Sequence, residues 1–116
     1  MSEVRQGDVY WIDFRPTAGS APAERHPCVI VQSDAFNRSR IATTVVCLIT
    51  SNVSRSHAPG NVALGKGEAN LSRASVVNVS QIVTFDKAEL VERIGRLPAS
   101  TLDAVLKGLQ LLFDRV

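Results

Sequence analysis

Two runs in the first half of the chain, Pro27–Ser33 (PCVIVQS) and Thr43–Thr50 (TTVVCLIT), are dense in β-branched residues and apolar at odd and even positions alike. A segment apolar on both faces needs cover on both. Runs this short suit buried strands better than buried helices, so the pair predicts the two central strands of a sheet. Gly7–Phe14 (GDVYWIDF) alternates instead, with Val9, Trp11 and Asp13 on one side and Tyr10, Ile12 and Phe14 on the other, which predicts a third strand. Arg15–Pro16 ends it, because proline lacks the donor that a ladder needs. Asn61–Leu64, Ala74–Ser80, Gln81–Phe85 and Ile94–Leu97 supply further short strands. Between them lie loops: Thr17–Glu24, long for a β-connection, then DAFNRSRIA with room for one helical turn, SNVSRSHAPG and GKGEANLSR.

Helical periodicity is confined to the C-terminal third. Asp86–Val91 predicts a short helix capped by Asp86. The last segment predicts a longer one, with Ser100 as N-cap and Asp103 completing a capping box. Leu102, Val105, Leu106, Leu109, Leu112, Phe113 and Val116 form the stripe that packs on the sheet. A second face carries Ala104, Gly108 and Leu111. Glycine inside a helix costs about 1 kcal/mol relative to alanine, so Gly108 marks either close approach of a backbone at a subunit interface or a surface position without consequence. With no βαβ rhythm, these elements predict a mainly β fold with a C-terminal α-helix, a small and mostly antiparallel barrel or half-open sheet.

The 116 residues suit a single domain, 1–116, large enough to bury roughly two-thirds of its unfolded surface. No run approaches the ~20 apolar residues of a membrane span, and MSEVRQGDVYW lacks a signal-peptide core. A cytoplasmic location is expected. Cys28 and Cys47 then read as small buried residues, with a disulfide between neighbouring strands as the alternative. The net charge of +2 announces no nucleic acid, but its distribution is uneven. From Ala35 to Gly67 there is no acidic residue, while Arg38, Arg40, Arg55 and Lys66 fall there, and such a segment attracts phosphates.

The chain contains no Gly-rich phosphate loop, metal-ligand cluster or nucleophile elbow. What its loops hold is Arg25, His26, Thr50, Ser51, His57 and several arginines. RNA can be cut with such groups alone, since its own 2′-OH can attack the adjacent phosphorus. The site then needs a group to take the 2′-proton, one to protonate the leaving 5′-oxygen, and positive charge for the phosphorane. Bland alternatives stand beside each residue. Thr50 ends an apolar strand, where a hydroxyl often bonds local backbone, and His57 is a solvated loop residue. Trp11 and Phe36 can stack on bases or serve the core. Asn37 holds RNA or bonds its own turn, and Arg55 contacts phosphate or decorates a soluble rim.

The blocks RQGDVYWIDFRPTAGS, HPCVIVQSDAFN, LITSN, PGNVAL, SVVNVSQIVTFDKAEL and IGRLPAS, in this order, resemble the MazF/PemK (Kid) family of toxin ribonucleases along nearly the whole chain. The resemblance implies a small SH3-like barrel of the MazF/CcdB type, usually a homodimer. It implies the toxin of a type II toxin–antitoxin system: a sequence-specific endoribonuclease that cuts single-stranded RNA without metal or other cofactor and leaves a 2′,3′-cyclic phosphate and a 5′-OH. Its implied partner is an antitoxin whose acidic, flexible tail lies in the RNA groove. The family's hydroxyl partner matches Thr50, and Ser20 and Gln81 match positions that hold RNA; Ser51, Asn37 and Arg55 complete the expected RNA contacts.

The catalytic Arg of the family directly precedes the Pro of the second strand. Here that position is His26, with Arg25 one place earlier, and the acid often found after Gly-Ser is Ala21. An arginine holds its proton and clamps phosphate, whereas a histidine, with an ordinary pKa of about 6.5, exchanges protons near neutrality. Consecutive strand residues face opposite sides, so one of Arg25 and His26 is expected in the groove. Three assignments follow: His26 as acid/base with a neighbouring Arg on the phosphate, Arg25 doing the work of the family Arg, or a weakened site. Two rivals of other classes are a non-catalytic toxin acting through a protein target, like the gyrase poisons, and an adaptor that binds RNA or peptide without cutting.

Overall fold

A computed structural model describes residues 3–14 and 24–115. Its six strands are β1 (Asp8–Phe14), β2 (Glu24–Ile30), β3 (Thr43–Thr50), β4 (Val62–Leu64), β5 (Ser75–Asp86) and β6 (Leu90–Arg96), ordered β4-β5-β3-β2-β1-β6. Every pairing is antiparallel, and the sheet curls into a half-barrel. The two-faced apolar runs do form the central strands β2 and β3. Their side chains divide between two clusters, Val29, Val31, Cys47 and Ile49 on one face and Cys28, Ile30, Val46 and Leu48 on the other. β1 alternates as its pattern predicts, Val9 joining the first cluster and Tyr10 and Ile12 the second.

Among the described residues two α-helices complete the fold, the single turn α1 (Asp34–Asn37) and the C-terminal α2 (Ala99–Leu112). α2 covers the first cluster through buried Val105, with Leu102 and Leu109 alongside. The rest of the predicted stripe fares differently. Leu112 and Phe113 are exposed where the helix runs out past the sheet, and Val116 lies outside the described residues. The capping box is not formed. Pro98 takes the N-cap position with no side-chain bond, which puts Ser100 inside the first turn.

Gly108 does mark a close backbone approach, but within one chain. A Cβ there would overlap the carbonyl oxygen of Gly60, the αL residue (φ 77°) of the turn before β4. This contact overturns the subunit-interface expectation for Gly108. The predicted Asp86–Val91 helix is also shorter than expected. Asp86 accepts from Ala88 N (2.9 Å) and caps only a 3₁₀ turn, Lys87–Glu89, and β6 begins at once with Leu90. Apolar Leu90 finds a place in the second cluster, so the strand register wins over local helix preference.

The edges of the half-barrel are bridged by a turn. After β4, Glu68–Asn70 forms a 3₁₀ turn with left-handed Gly67 (φ 88°), Ala69 (φ 53°) and Asn70 (φ 63°). Asn70 Nδ2 donates to Ile94 O of β6 (3.0 Å), and Glu68 accepts from Thr101 Oγ1 of α2 (2.9 Å). Non-glycine residues in this region are strained, and the bonds to β6 and α2 hold them there.

Candidate functional site

The start of β2 and the end of β3 lie at one end of the sheet. Cys28 pairs with Leu48, so continuing the antiparallel ladder brings His26 toward Thr50. Two cavities open at this end. The first, about 290 Å³, is lined by Trp11, Arg25, His26, Pro27, Thr50, Ser51 and Arg73 among others. The second, about 230 Å³, is lined by Phe14, His26, Thr50, Arg55, Asn78 and Gln81 with Leu48 and Ile49. His26, Ile49 and Thr50 border both, so they form the divide of one groove. The first cavity touches the cluster under α2 through Leu71 and Ile49, and the second touches the opposite cluster through Leu48 and Phe14.

Arg25 and His26 both reach this groove, contrary to the expectation that alternation admits one. They do so because the divide sits at the sheet's end, where both faces are open. Arg25 Nε lies 3.5 Å from Asp13 Oδ1 of β1, and both side chains are 55% exposed. His26 Nε2 lies 3.4 Å from Glu24 Oε2, while its ring meets Phe14 edge-on with centroids 6.1 Å apart. The exposed Arg25–Asp13 pair contributes little to stability and opens readily to a competing anion, and the His26–Glu24 contact is an ion pair only when the imidazole is protonated. Thr50 Oγ1 accepts from Asn52 N (3.1 Å), which leaves the hydroxyl proton free to donate. The local-backbone role and the groove-facing role of Thr50 therefore coexist.

Gln81 is set in place by a relay. In β5 the register against β3 jumps from Cys47–Ile82 to Leu48–Asn78, so residues 79–81 bulge from the ladder. Asn78 Nδ2 donates to Gln81 Oε1 (2.9 Å), and Asn61 Nδ2 donates to both Asn78 Oδ1 (3.1 Å) and Arg55 O (3.0 Å). Gln81 is thus held by its oxygen, with its amide donors left for the second cavity. Arg55 stands in the 3₁₀ turn Val53–His57, capped by Asn52. Among the described residues no carboxylate comes within ion-pair distance of Arg55 or Arg73.

The remaining expected contacts sort as follows. Ser51 lines the first cavity, and Ser20 lies outside the described residues. Asn37 is at a different place. It is 3% exposed at the end of α1, accepts from Thr44 Oγ1 (2.9 Å) and Gln32 Nε2 (2.9 Å), and donates to Gln32 O (2.9 Å). Its local bonding capacity therefore serves the turn, which supports the turn-forming alternative over an RNA contact. Phe36 is 59% exposed on α1 and His57 is exposed in its turn, both outside the two cavities. Trp11 is neither core nor surface, half-buried as a wall of the first cavity. Arg73, Ser72 and Asn78 were missed by sequence reasoning. The only signal for Arg73 was a basic residue ending the turn GKGEANLSR.

The model of a family described as "PemK-like, MazF-like toxin of type II toxin-antitoxin system" matches residues 5–113. The chain belongs to this family. Endoribonuclease MazF6 of Mycobacterium tuberculosis is 43% identical to this PemK/MazF-family chain over 111 residues, 96% of this chain and 97% of that protein. Endoribonuclease EndoA of Bacillus subtilis is 32% identical over 108 residues, covering 93% and 92%. A solved mycobacterial endoribonuclease in complex with its cognate antitoxin superposes with a TM-score of 0.72 at 26% identity, covering 96% of this chain and 93% of that one. MazF from Deinococcus radiodurans superposes at 0.74 with 25% identity and 97% coverage of both. In this member of the PemK/MazF family, His26 stands at the divide between the two cavities at the end of the sheet.

Proposed function

We propose that this chain, as a single toxin domain spanning residues 1–116, is a metal-independent endoribonuclease that cuts single-stranded RNA at specific sequences. The observation that carries the reading is the convergence of His26, Arg25 and Thr50 on one groove flanked by Arg55 and Arg73. Neutral His26 takes the proton of the 2′-OH, and the 2′-oxygen attacks phosphorus. A neighbouring guanidinium and the Thr50 hydroxyl hold the phosphorane oxygens. The imidazolium then returns the proton to the 5′-oxygen as the P–O5′ bond breaks, leaving a 2′,3′-cyclic phosphate and a 5′-OH. No water or metal enters the bond-making step.

Two partners belong to the same reading. The exposed Leu111, Leu112 and Phe113 at the end of α2 support homodimer formation, tested by light scattering for twice the chain mass. The groove's cations support inhibition by an antitoxin with an acidic, flexible tail that competes with RNA. The endoribonuclease with bound antitoxin cited above supports it from the side of a relative.

The decisive experiment incubates the protein with a long single-stranded RNA in EDTA and maps the new ends. Discrete cuts with cyclic-phosphate ends, lost in His26→Ala, support the reading. Intact RNA in every buffer overturns it in favour of a non-catalytic toxin.

A further inference from the structure

The reaction proposed above has a charge requirement that His26 alone does not meet. The phosphorane carries more negative charge than the starting diester, and it needs a cation that stays charged while the proton moves. An imidazole that accepts the proton is neutral at the start of the step. A guanidinium is charged throughout and matches two phosphate oxygens with its planar fork. Among the described residues, three arginines border the groove. Arg25 lies against Asp13, so its charge is already part-compensated. Arg55 belongs to a 3₁₀ turn without a buried residue, beside the second cavity.

Arg73 differs from Arg25 in being unpaired among the described residues and from Arg55 in the cavity it borders. It lines the first cavity with His26, Thr50 and Ser51, and no described carboxylate pairs with it. Its backbone is fixed on either side. Leu71, 4% exposed, is anchored in the cluster under α2, and its carbonyl accepts from Gly67 N (2.8 Å). Ser75, 5% exposed, donates from Oγ to the Arg73 carbonyl (2.9 Å) and opens β5. The strained turn at Ala69 and Asn70, bonded to β6, sets where Leu71 enters the core. A residue on a short span between two buried anchors has its backbone held near a single position, so the exposed Arg73 side chain starts from a fixed point at the rim of the first cavity.

We propose that Arg73 is a catalytic residue of this groove, its guanidinium clamping the nonbridging oxygens of the scissile phosphate while His26 moves the proton. The proposal rests on the ribonuclease reading and assigns the permanent cation within it. The fixed turn from Gly67 to Ser75 then acts as the mount of a catalytic side chain.

The test measures single-turnover cleavage of a mapped RNA by wild type, Arg73→Ala and Arg73→Lys. Affinity is measured in parallel with the same RNA carrying a 2′-deoxy nucleotide at the cut, which binds without reacting. Arg73→Ala is expected to lower the rate at saturating RNA by about 10²–10³-fold, the loss typical of one oxyanion donor. Arg73→Lys keeps the charge without the fork and recovers part of that loss. Added guanidinium ion accelerates Arg73→Ala and leaves wild type unaffected. Near-equal affinity of all three for the 2′-deoxy RNA shows that the variants remain folded and bind. A variant that weakens binding but reaches the wild-type rate at saturation overturns the catalytic role and makes Arg73 a binding contact. Wild type that leaves RNA intact overturns the ribonuclease reading and this assignment together; wild type that cuts no faster than Arg73→Ala overturns the assignment alone.

Discussion

Cys28 and Cys47 lie on neighbouring strands yet in different clusters, so the sheet stands between their sulfurs and the disulfide alternative is excluded by register. Burial pushes both thiols up to about 12. Because a raised thiol pKa favours the neutral folded form, its contribution is complete below the unfolded value of about 8.5 and is lost as pH climbs toward 12. We expect stability against urea to fall from about pH 9 upward, and a thiol reagent at pH 8 to label both cysteines only after unfolding. Asp34 acts at the other end of the scale. Its carboxylate accepts from Gln6 N (2.7 Å) and from Asn37, which hold its pKa below the usual range. A lowered pKa stabilises above the unfolded value and is lost as pH falls through the folded one, so Asp34→Asn should flatten the acid limb of stability. Asn37→Ala strands the buried Thr44 hydroxyl donor and removes one acceptor from half-buried Gln32, and should cost about 1–3 kcal/mol in denaturant titrations, with RNA affinity unchanged. The sequence marked Asn37 as a turn-former or an RNA contact; only the partners brought from β3 decide between them.

At the scale of elements, the closest contacts are made by glycines against backbone. A Cβ on Gly95 would sit 2.5 Å from Ala69 O, and one on Gly108 would overlap Gly60. Neither obstacle is a flexible side-chain tip, so the main chain itself has to shift. Gly108→Ala should therefore destabilise by about 1–3 kcal/mol despite the better helix propensity of alanine, read from urea unfolding. Strands were legible because burial on two faces writes itself into β-branched runs, and α2 was legible from its stripe. The extent of each element was less so. The Asp86 cap is present, yet Leu90 is claimed by the second cluster, and Pro98 displaces Ser100 from the cap. The partner of Gly108 was invisible because Gly60 is distant in sequence, although the need for a close approach could be read from a glycine inside a helix.

For the molecule as a whole, catalytic candidates Arg25, His26 and Thr50 were readable from loop chemistry and resemblance, while Arg73 became visible only when β5 and the preceding turn closed around the first cavity. The fold brings charge to the groove that the net charge of +2 conceals. RNA binding should weaken steeply with salt, and Arg55→Ala should reduce that slope by about one ion. The divide formed by His26 and Thr50 stands where the two sides of the sheet meet, with one cavity on each. On the proposed mechanism, an RNA strand that occupies both would turn a corner at the scissile phosphate, with its neighbouring bases parted. A helix of stacked pairs cannot make that turn without melting, so secondary structure in a transcript acts as armour. A hairpin carrying the same recognition sequence in its stem and in its loop would be severed in the loop alone.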